Sequence, residues 1–208
     1  MDGGQLDAPG LTLPDAGQED MPAGNKNNNG LESEKRLLND IKNGSRSAMR
    51  ELYDRYSGYA TAVCLRYIPD RDEMQDVMQD SFVKIFTSLD SFEFRGEGSL
   101  RSWITRIVVN ESLDYIRRNG RFTFTDDIPD GAEEDEPEID AIPDDVLMEM
   151  IGRLPDGYRV VLNMYVFGGM SHKEIAEKLG IKTGTSASQY FHAKKLLAKM
   201  IDDYNKRQ

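Results

Sequence analysis

Between Phe122 and Pro143 the chain runs through acids, three prolines and few apolar residues. Proline removes a backbone donor and clashes with the preceding turn, and adjacent carboxylates repel, so this tract cannot continue a packed helix. On either side apolar residues return at the period of about 3.6 that marks a helix buried on one face, and strand-like alternation never persists. The expected fold class is all-α: two small helical domains joined by a flexible acidic linker. The boundaries are a tail over 1–30, a first domain over 31–121, the linker over 122–143 and a second domain over 144–208.

The formal net charge is −11, but it is unevenly placed. Residues 122–150 hold twelve acids and no base, whereas 31–121 balance at fifteen of each and 151–208 carry five acids against ten bases. A polyanion near the C-terminal domain senses charges within a Debye length of roughly 8–10 Å, so the average acidity does not forbid a nucleic-acid partner there. The first thirty residues, rich in Gly, Asp, Asn and Pro, bury too little apolar surface to offset their chain entropy and are expected to be disordered.

Several classes drop out. Cys64 is the single cysteine, inside an apolar helical pattern, so no intrachain disulfide forms and it reads as core packing. Neither His172 nor His192 has a partner at ligand spacing, so no metal is expected; both read as solvated, DNA-facing imidazoles. No apolar run approaches the roughly 18 residues of a membrane span, and the acidic N-terminus lacks the apolar region of a secretory signal. A soluble, cytoplasmic protein is expected. Nothing resembles a phosphate-binding loop, a nucleophile with its base or a metal cage, so neither catalysis nor a cofactor is expected.

Within the first domain, "LESEKRLLNDIKNG" reads as a short helix ending at Gly44, followed by a longer one with Ser47 as its N-cap. Asp72 is the expected cap of "EMQDVMQDSFVKIFTSL", and Ser99 that of "SLRSWITRIVVNESLDYIRR" after the loop "DSFEFRGEG". On the third of these helices Glu73, Asp76, Asp80, Lys84 and Thr87 make a polar stripe, with Gln79 beside it. On the fourth, Arg106, Asn110, Asp114 and Arg117 line one face. Arg and Asn there can donate to phosphates and base edges, and Asp114 suits orienting an arginine. Trp103 lies between this face and the core side, and reads as packing.

The C-terminal domain carries the sharper signal. In "SHKEIAEKLGIKTGTSASQYFHAKKLLAKM", Ser171 and Glu174 form a capping box. Gly180 supplies the positive φ that ends the first helix, and Thr183 is the expected cap of the second. The second helix opens on Gly184, Thr185, Ser186 and Ala187, small enough to let backbone N–H groups approach a phosphate. Ser188, Gln189, His192 and Lys195 are expected on its outer face, while Tyr190, Ala193, Leu196, Leu197 and Met200 pack. This is a helix-turn-helix pattern.

Taken together, "DEMQDVMQDSFVKIFTSLDSFEFRGEGSLRSWITRIVVNESLDYIRRNGR" and "LPDGYRVVLNMYVFGGMSHKEIAEKLGIKTGTSASQYFHAKKLL" resemble the two domains of extracytoplasmic-function sigma factors. The resemblance covers about 35–121 and 144–203. It implies a transcription-initiation subunit that joins bacterial RNA polymerase core, through its clamp coiled coil and its flap, and directs it to promoter DNA, which it melts. It also implies an anti-sigma factor as partner. The family's "D-x-x-Q-[DE]" surface matches Asp76, Gln79 and Asp80, with Lys84 on the same core-binding stripe. Its "F-R-G-x-x-S" loop, which receives a flipped base of the minus-ten element, matches Phe94, Arg95, Gly96, Glu97, Gly98 and Ser99. Arg106, Asn110 and Arg117 match the strand-contacting side of the next helix.

The minus-thirty-five reader corresponds to Thr185, Ser186, Ala187, Ser188, Gln189, Phe191 and His192, with Lys195 on phosphate. Many members carry Arg or Lys where Ala187, Gln189 and His192 stand, so a lower phosphate affinity is expected, and the sequence of the element does not carry over from better-known relatives. Phe191 suits either a thymine methyl or packing. For the acidic linker the resemblance implies threading of the polymerase RNA channel. Folding back onto the basic domain, or mere solubilisation, are the other readings. The competing function is a stand-alone helix-turn-helix regulator, which would footprint its operator without polymerase.

Overall fold

The computed structural model describes residues 26–122, 124 and 142–207. The expected tail up to residue 25 and nearly all of the acidic linker lie outside the described residues. Among the described residues there are eight α-helices and no strand: α1 Lys26–Lys42, α2 Arg46–Tyr67, α3 Arg71–Ser88, α4 Ser99–Arg118, α5 Asp144–Gly152, α6 Asp156–Val166, α7 His172–Leu179 and α8 Thr183–Asn205. A single 3₁₀ turn, Leu89–Ser91, follows α3.

The first four helices form one bundle. α2 buries Leu52, Tyr56, Ala60, Val63, Cys64 and Tyr67 along one side. α3 lays Met74, Val77, Met78, Phe82 and Ile85 against it, and α4 adds Leu100, Ile104, Val108, Leu113 and Ile116. Each such side chain contributes about 1.5–3 kcal/mol by leaving water. Cys64 is fully buried here, with Sγ 3.7 Å from Ser112 Oγ. α1 begins at Lys26 instead of the expected Leu31, so the first five helical residues come from the segment read as disordered. Burial of Leu37, Leu38 and Ile41 anchors that helix on the bundle, and extending a helix already formed adds a hydrogen bond per residue at little cost.

Four expected caps move by one or two residues, each for a local reason. Ser45, not Ser47, caps α2 by accepting from Ala48 N, because the chain leaves α1 through Gly44 and is already extended at Ser45. Asp70, not Asp72, caps α3 by accepting from the backbone N–H groups of Asp72 and Glu73, both at 3.0 Å. Asp72 instead lies in the first turn, where its charge complements the helix dipole. Gly98, with φ 76°, takes the cap position of α4 and Ser99 becomes the first helical residue. Lys182 occupies the cap position of α8, and Thr183 is its first residue. The capping box of Ser171 and Glu174 forms as expected, and Gly180 ends α7 with φ 71°.

α5 to α8 form the second helical unit, with a core of Leu147, Met150, Ile151, Leu154, Leu162, Ala193, Leu197 and Ile201. The two units do not hang apart on their linker. Val160, Val161 and Met164 of α6 and Ile175 of α7 belong to the same apolar cluster as the first bundle, and α2 packs on both α5 and α6. The amphipathic patterns specify each unit's own core. They are silent on the second face of α6, which is apolar enough to be buried on both sides.

Candidate functional site

Asp76, Gln79, Asp80 and Lys84 all lie exposed along one face of α3. The first three share a shallow concavity with Tyr115, Arg118 and Asn119 from the end of α4. Arg118 Nη2 stands 3.9 Å from Asp80 Oδ2. Lys84 donates to Glu111 Oε1 at 2.5 Å, a bond that raises the lysine's pKa, so within the chain it braces α3 on α4. Tyr115, Arg118 and Asn119 are additions to the sequence-derived set. Their spacing of three and four places them on one helix face, one position round from the stripe that the sequence singled out.

The loop after α3 folds around Ser99. Its Oγ donates to Gly96 O at 2.6 Å and accepts from Arg95 N at 3.2 Å, closing residues 95–99 into a tight ring at the start of α4. Beside it opens a pocket lined by Ser91, Phe92, Glu93 and Arg95 from the loop and by Ser99, Ser102, Trp103 and Arg106 from α4. Trp103 packs on Phe92 with ring centroids 5.0 Å apart, so it is both a packing residue and the aromatic wall of the pocket. Ser91, Phe92 and Glu93 of the loop and Ser102 and Trp103 of α4 were not among the sequence-derived site residues. For the α4 pair a signal exists: Ser99, Ser102, Trp103 and Arg106 recur at helical spacing. Phe94 instead faces the core side of the loop, half-buried with Lys35 Nζ 5.7 Å from its ring centroid. Glu97 is exposed beyond the ring. Farther along α4, Arg106 is exposed, Asn110 half-buried, and Arg117 donates to Asp114 at 2.6 Å, the orienting contact expected of Asp114.

The start of α8 differs most from expectation. Thr185, Ser186, Ser188 and Gln189 are between 0 and 6% exposed, although Ser188 and Gln189 were expected on the outer face. Ala187, Phe191 and His192 are half-buried, and Lys182, Thr183, Gly184 and Lys195 are exposed. Both histidines are half-buried against aromatic rings instead of fully solvated. His192 stacks on Tyr158 with centroids 5.4 Å apart. His172 stacks on Tyr165 at 4.6 Å, tilts against Tyr190, and its Nδ1 lies 3.0 Å from Ser186 Oγ. The cause is composition: small polar residues at the start of α8 let α6 and α7 approach closely, and closeness buries the polar atoms along with the backbone.

Burial lowers the His172 pKa from its ordinary value. The unfolded chain therefore binds a proton at this site more readily than the folded one. The stability contribution is complete above the ordinary pKa of about 6.5 and is lost as pH falls below it. Denaturant titrations at pH 8 and pH 5.5 are expected to show a larger loss for the wild type than for His172→Gln, which keeps an amide near Ser186 but cannot be charged. Equal losses would remove His172 from the acid response.

The family model for sigma-70 region 2 matches residues 52–122, and that for sigma-70 region 4 matches residues 144–197. The chain belongs to the extracytoplasmic-function sigma factors. The chain is 28% identical over 179 residues to the ECF RNA polymerase sigma-E factor of Haemophilus influenzae, covering 79% of this chain and 93% of that protein. It is 24% identical over 183 residues to the ECF RNA polymerase sigma factor SigW of Bacillus subtilis, covering 81% and 97%. The structure of the sigma factor RpoE in complex with the anti-sigma factor NepR from Bartonella quintana is similar at 19% identity and a TM-score of 0.46, covering 74% of this chain and 96% of that one.

A sigma factor recognises promoters as a subunit of RNA polymerase. The stand-alone regulator is thereby disfavoured, because it accounts only for the helix-turn-helix and leaves the match over 52–122 unexplained. Among the described residues no helix of this sigma factor is long and apolar enough to cross a membrane.

Proposed function

We propose that the exposed face of α3, with Asp76, Gln79 and Asp80 at its centre, is the surface on which this sigma factor holds the clamp coiled coil of RNA polymerase core. Tyr115, Arg118 and Asn119 extend it. The pocket between the loop and α4 receives a base flipped out of the minus-ten element. Unstacking costs a few kcal/mol, and the pocket offers what offsets it: an aromatic wall in Trp103, hydroxyls from Ser91, Ser99 and Ser102, and the guanidinium groups of Arg95 and Arg106. Arg106, Asn110 and Arg117 then track the separated strand. The chain acts in the cytoplasm, without catalysis of its own, and an anti-sigma factor is its regulatory partner.

In the C-terminal unit, Lys182, Thr183, Gly184 and Lys195 are the groups open to a phosphate backbone in this conformation. Thr185, Ser186, Ser188 and Gln189 read the minus-thirty-five element only once they are uncovered. The observation that carries the whole reading is the pocket: Ser99 ties the loop so that an aromatic wall and two arginines converge at the head of the helix bearing Asn110. In vitro transcription with core polymerase tests it. Trp103→Ala and Asn110→Ala are expected to lower output on every promoter, the former by about 10- to 100-fold from the loss of base stacking. Gln189→Ala is expected to change promoter preference instead. Undiminished open-complex formation by Trp103→Ala would remove the pocket from promoter melting.

A further inference from the structure

The polar contacts between the two helical units are concentrated at the C-terminus of α2. A helix end leaves carbonyls without intrahelical donors. Here two of them are served by the other unit. Asn163 Nδ2 donates to Arg66 O at 2.9 Å, and Arg159 Nε donates to Tyr67 O at 3.1 Å. Asn163 is fully buried and Arg159 is 4% exposed. Arg159 also donates to the carbonyls of Gly152 and Leu154 and pairs with Asp156. Along the rim, Arg121 forks onto Glu73 at 2.6 and 2.5 Å and places its Nε 4.0 Å from Asp156. Arg66 stacks its guanidinium 4.4 Å from the Phe167 ring centroid. The backbones meet closely as well: a Cβ built on Gly152 would stand 3.3 Å from Pro69 Cβ and near nothing else but that proline ring.

We infer that this seam is an autoinhibitory latch: by capping the end of α2 from the other domain, Arg159 and Asn163 hold both promoter-reading units in a closed form that must open before the two can occupy DNA together. The inference rests on the proposed function. Elements centred about 25 base pairs apart lie roughly 80 Å from each other on a duplex, at about 34–36 Å per turn. Domains of this size have a radius of gyration near 11–12 Å, so two in direct contact cannot straddle that distance. The covalent connection permits opening, because the 21 residues between Arg121 and Pro143 extend to at most about 75 Å.

The contact between Gly152 and Pro69 gives a test from both directions. In the full-length chain with Cys64→Ser, the pair Pro69→Cys and Gly152→Cys places two thiols at a separation that a disulfide accepts after a small shift. Mild oxidation is expected to give an intramolecular disulfide. The oxidised protein is expected to lose at least about tenfold of its core-dependent transcription, and reduction to restore it. Conversely, Gly152→Leu drives a side chain into Pro69 alone. It is expected to increase the radius of gyration of the free protein and to raise transcription at limiting polymerase roughly three- to tenfold. Failure of the disulfide to form, or equal transcription by the oxidised and reduced forms, overturns the latch while leaving the sigma reading intact. Failure of both the wild type and the reduced variant to direct core polymerase overturns that reading, and the latch with it.

Discussion

Arg159→Leu is expected to cost this sigma factor about 3–5 kcal/mol, the largest loss of any single substitution considered. The guanidinium serves three backbone carbonyls, those of Tyr67, Gly152 and Leu154, and pairs with Asp156, all in a nearly solvent-free setting. Burial lowers its pKa, with the nearby charge of Arg121 acting the same way, and Asp156 pulls in the opposite direction. Leucine supplies volume but no donor, so the carbonyls and the Asp156 carboxylate lose their partner together. For a chain of this length each kcal/mol moves the melting temperature by about 2–4 °C, so a fall near 10 °C is expected by calorimetry. Arg159→Lys is expected to recover only part of it, since one ammonium cannot span three carbonyls held by a planar fork. A melting temperature within a degree or two of wild type would show that the guanidinium network is not what joins the two units.

The second large effect concerns association, with stability left almost untouched. Asp76→Arg combined with Asp80→Arg is expected to weaken binding to polymerase core on the order of a hundredfold, about 2.8 kcal/mol, measured by competition or co-migration at fixed salt. Both carboxylates are exposed on α3, and among the described residues Asp80 meets the rim contact of Arg118 at 3.9 Å. A contact of that kind contributes little to folding, so the melting temperature should stay close to wild type. The two measurements separate an interface role from a structural one. Unchanged affinity in a folded double variant would move the core-binding surface away from this face of α3.

Much of the local structure was legible because it depends on neighbours in sequence. Apolar spacing gave the α3 and α4 faces, and Cys64 packs as its surroundings imply. The capping box at Ser171 and the glycine corner at Gly180 fall where residue chemistry demands them. Caps at Ser45, Asp70, Gly98 and Lys182 were displaced because several residues in each junction can cap, and only the route of the preceding chain selects among them. The pocket was half legible. Arg95, Ser99 and Arg106 of the sequence-derived set line it, but Ser91, Phe92 and Glu93 do so only through the path of the loop, and Trp103 carries packing and lining roles at once, which sequence spacing cannot divide.

The largest departure lies at the head of α8. Ser186, Ser188 and Gln189 are polar, and polarity in a sequence reads as exposure. A small side chain satisfied by hydrogen bonds is nonetheless buried without a large penalty, as Ser186 is beside His172 Nδ1 and Ser188 is by donating to Thr185 O. Composition gives the cost of burial only when the partners are known.

By itself, then, the sequence determined the helices, the two units they build, the turn chemistry of the helix-turn-helix and the family to which the chain belongs. All of these follow from periodicity and from interactions within a few residues. Tertiary structure alone decided that Asn163 and Arg159 reach the end of α2, that α6 is buried on two sides, and that the reading helix begins under cover. Those contacts join residues 92 and 97 positions apart, and their free energy depends on which donor meets which orphaned carbonyl. No local pattern encodes that pairing.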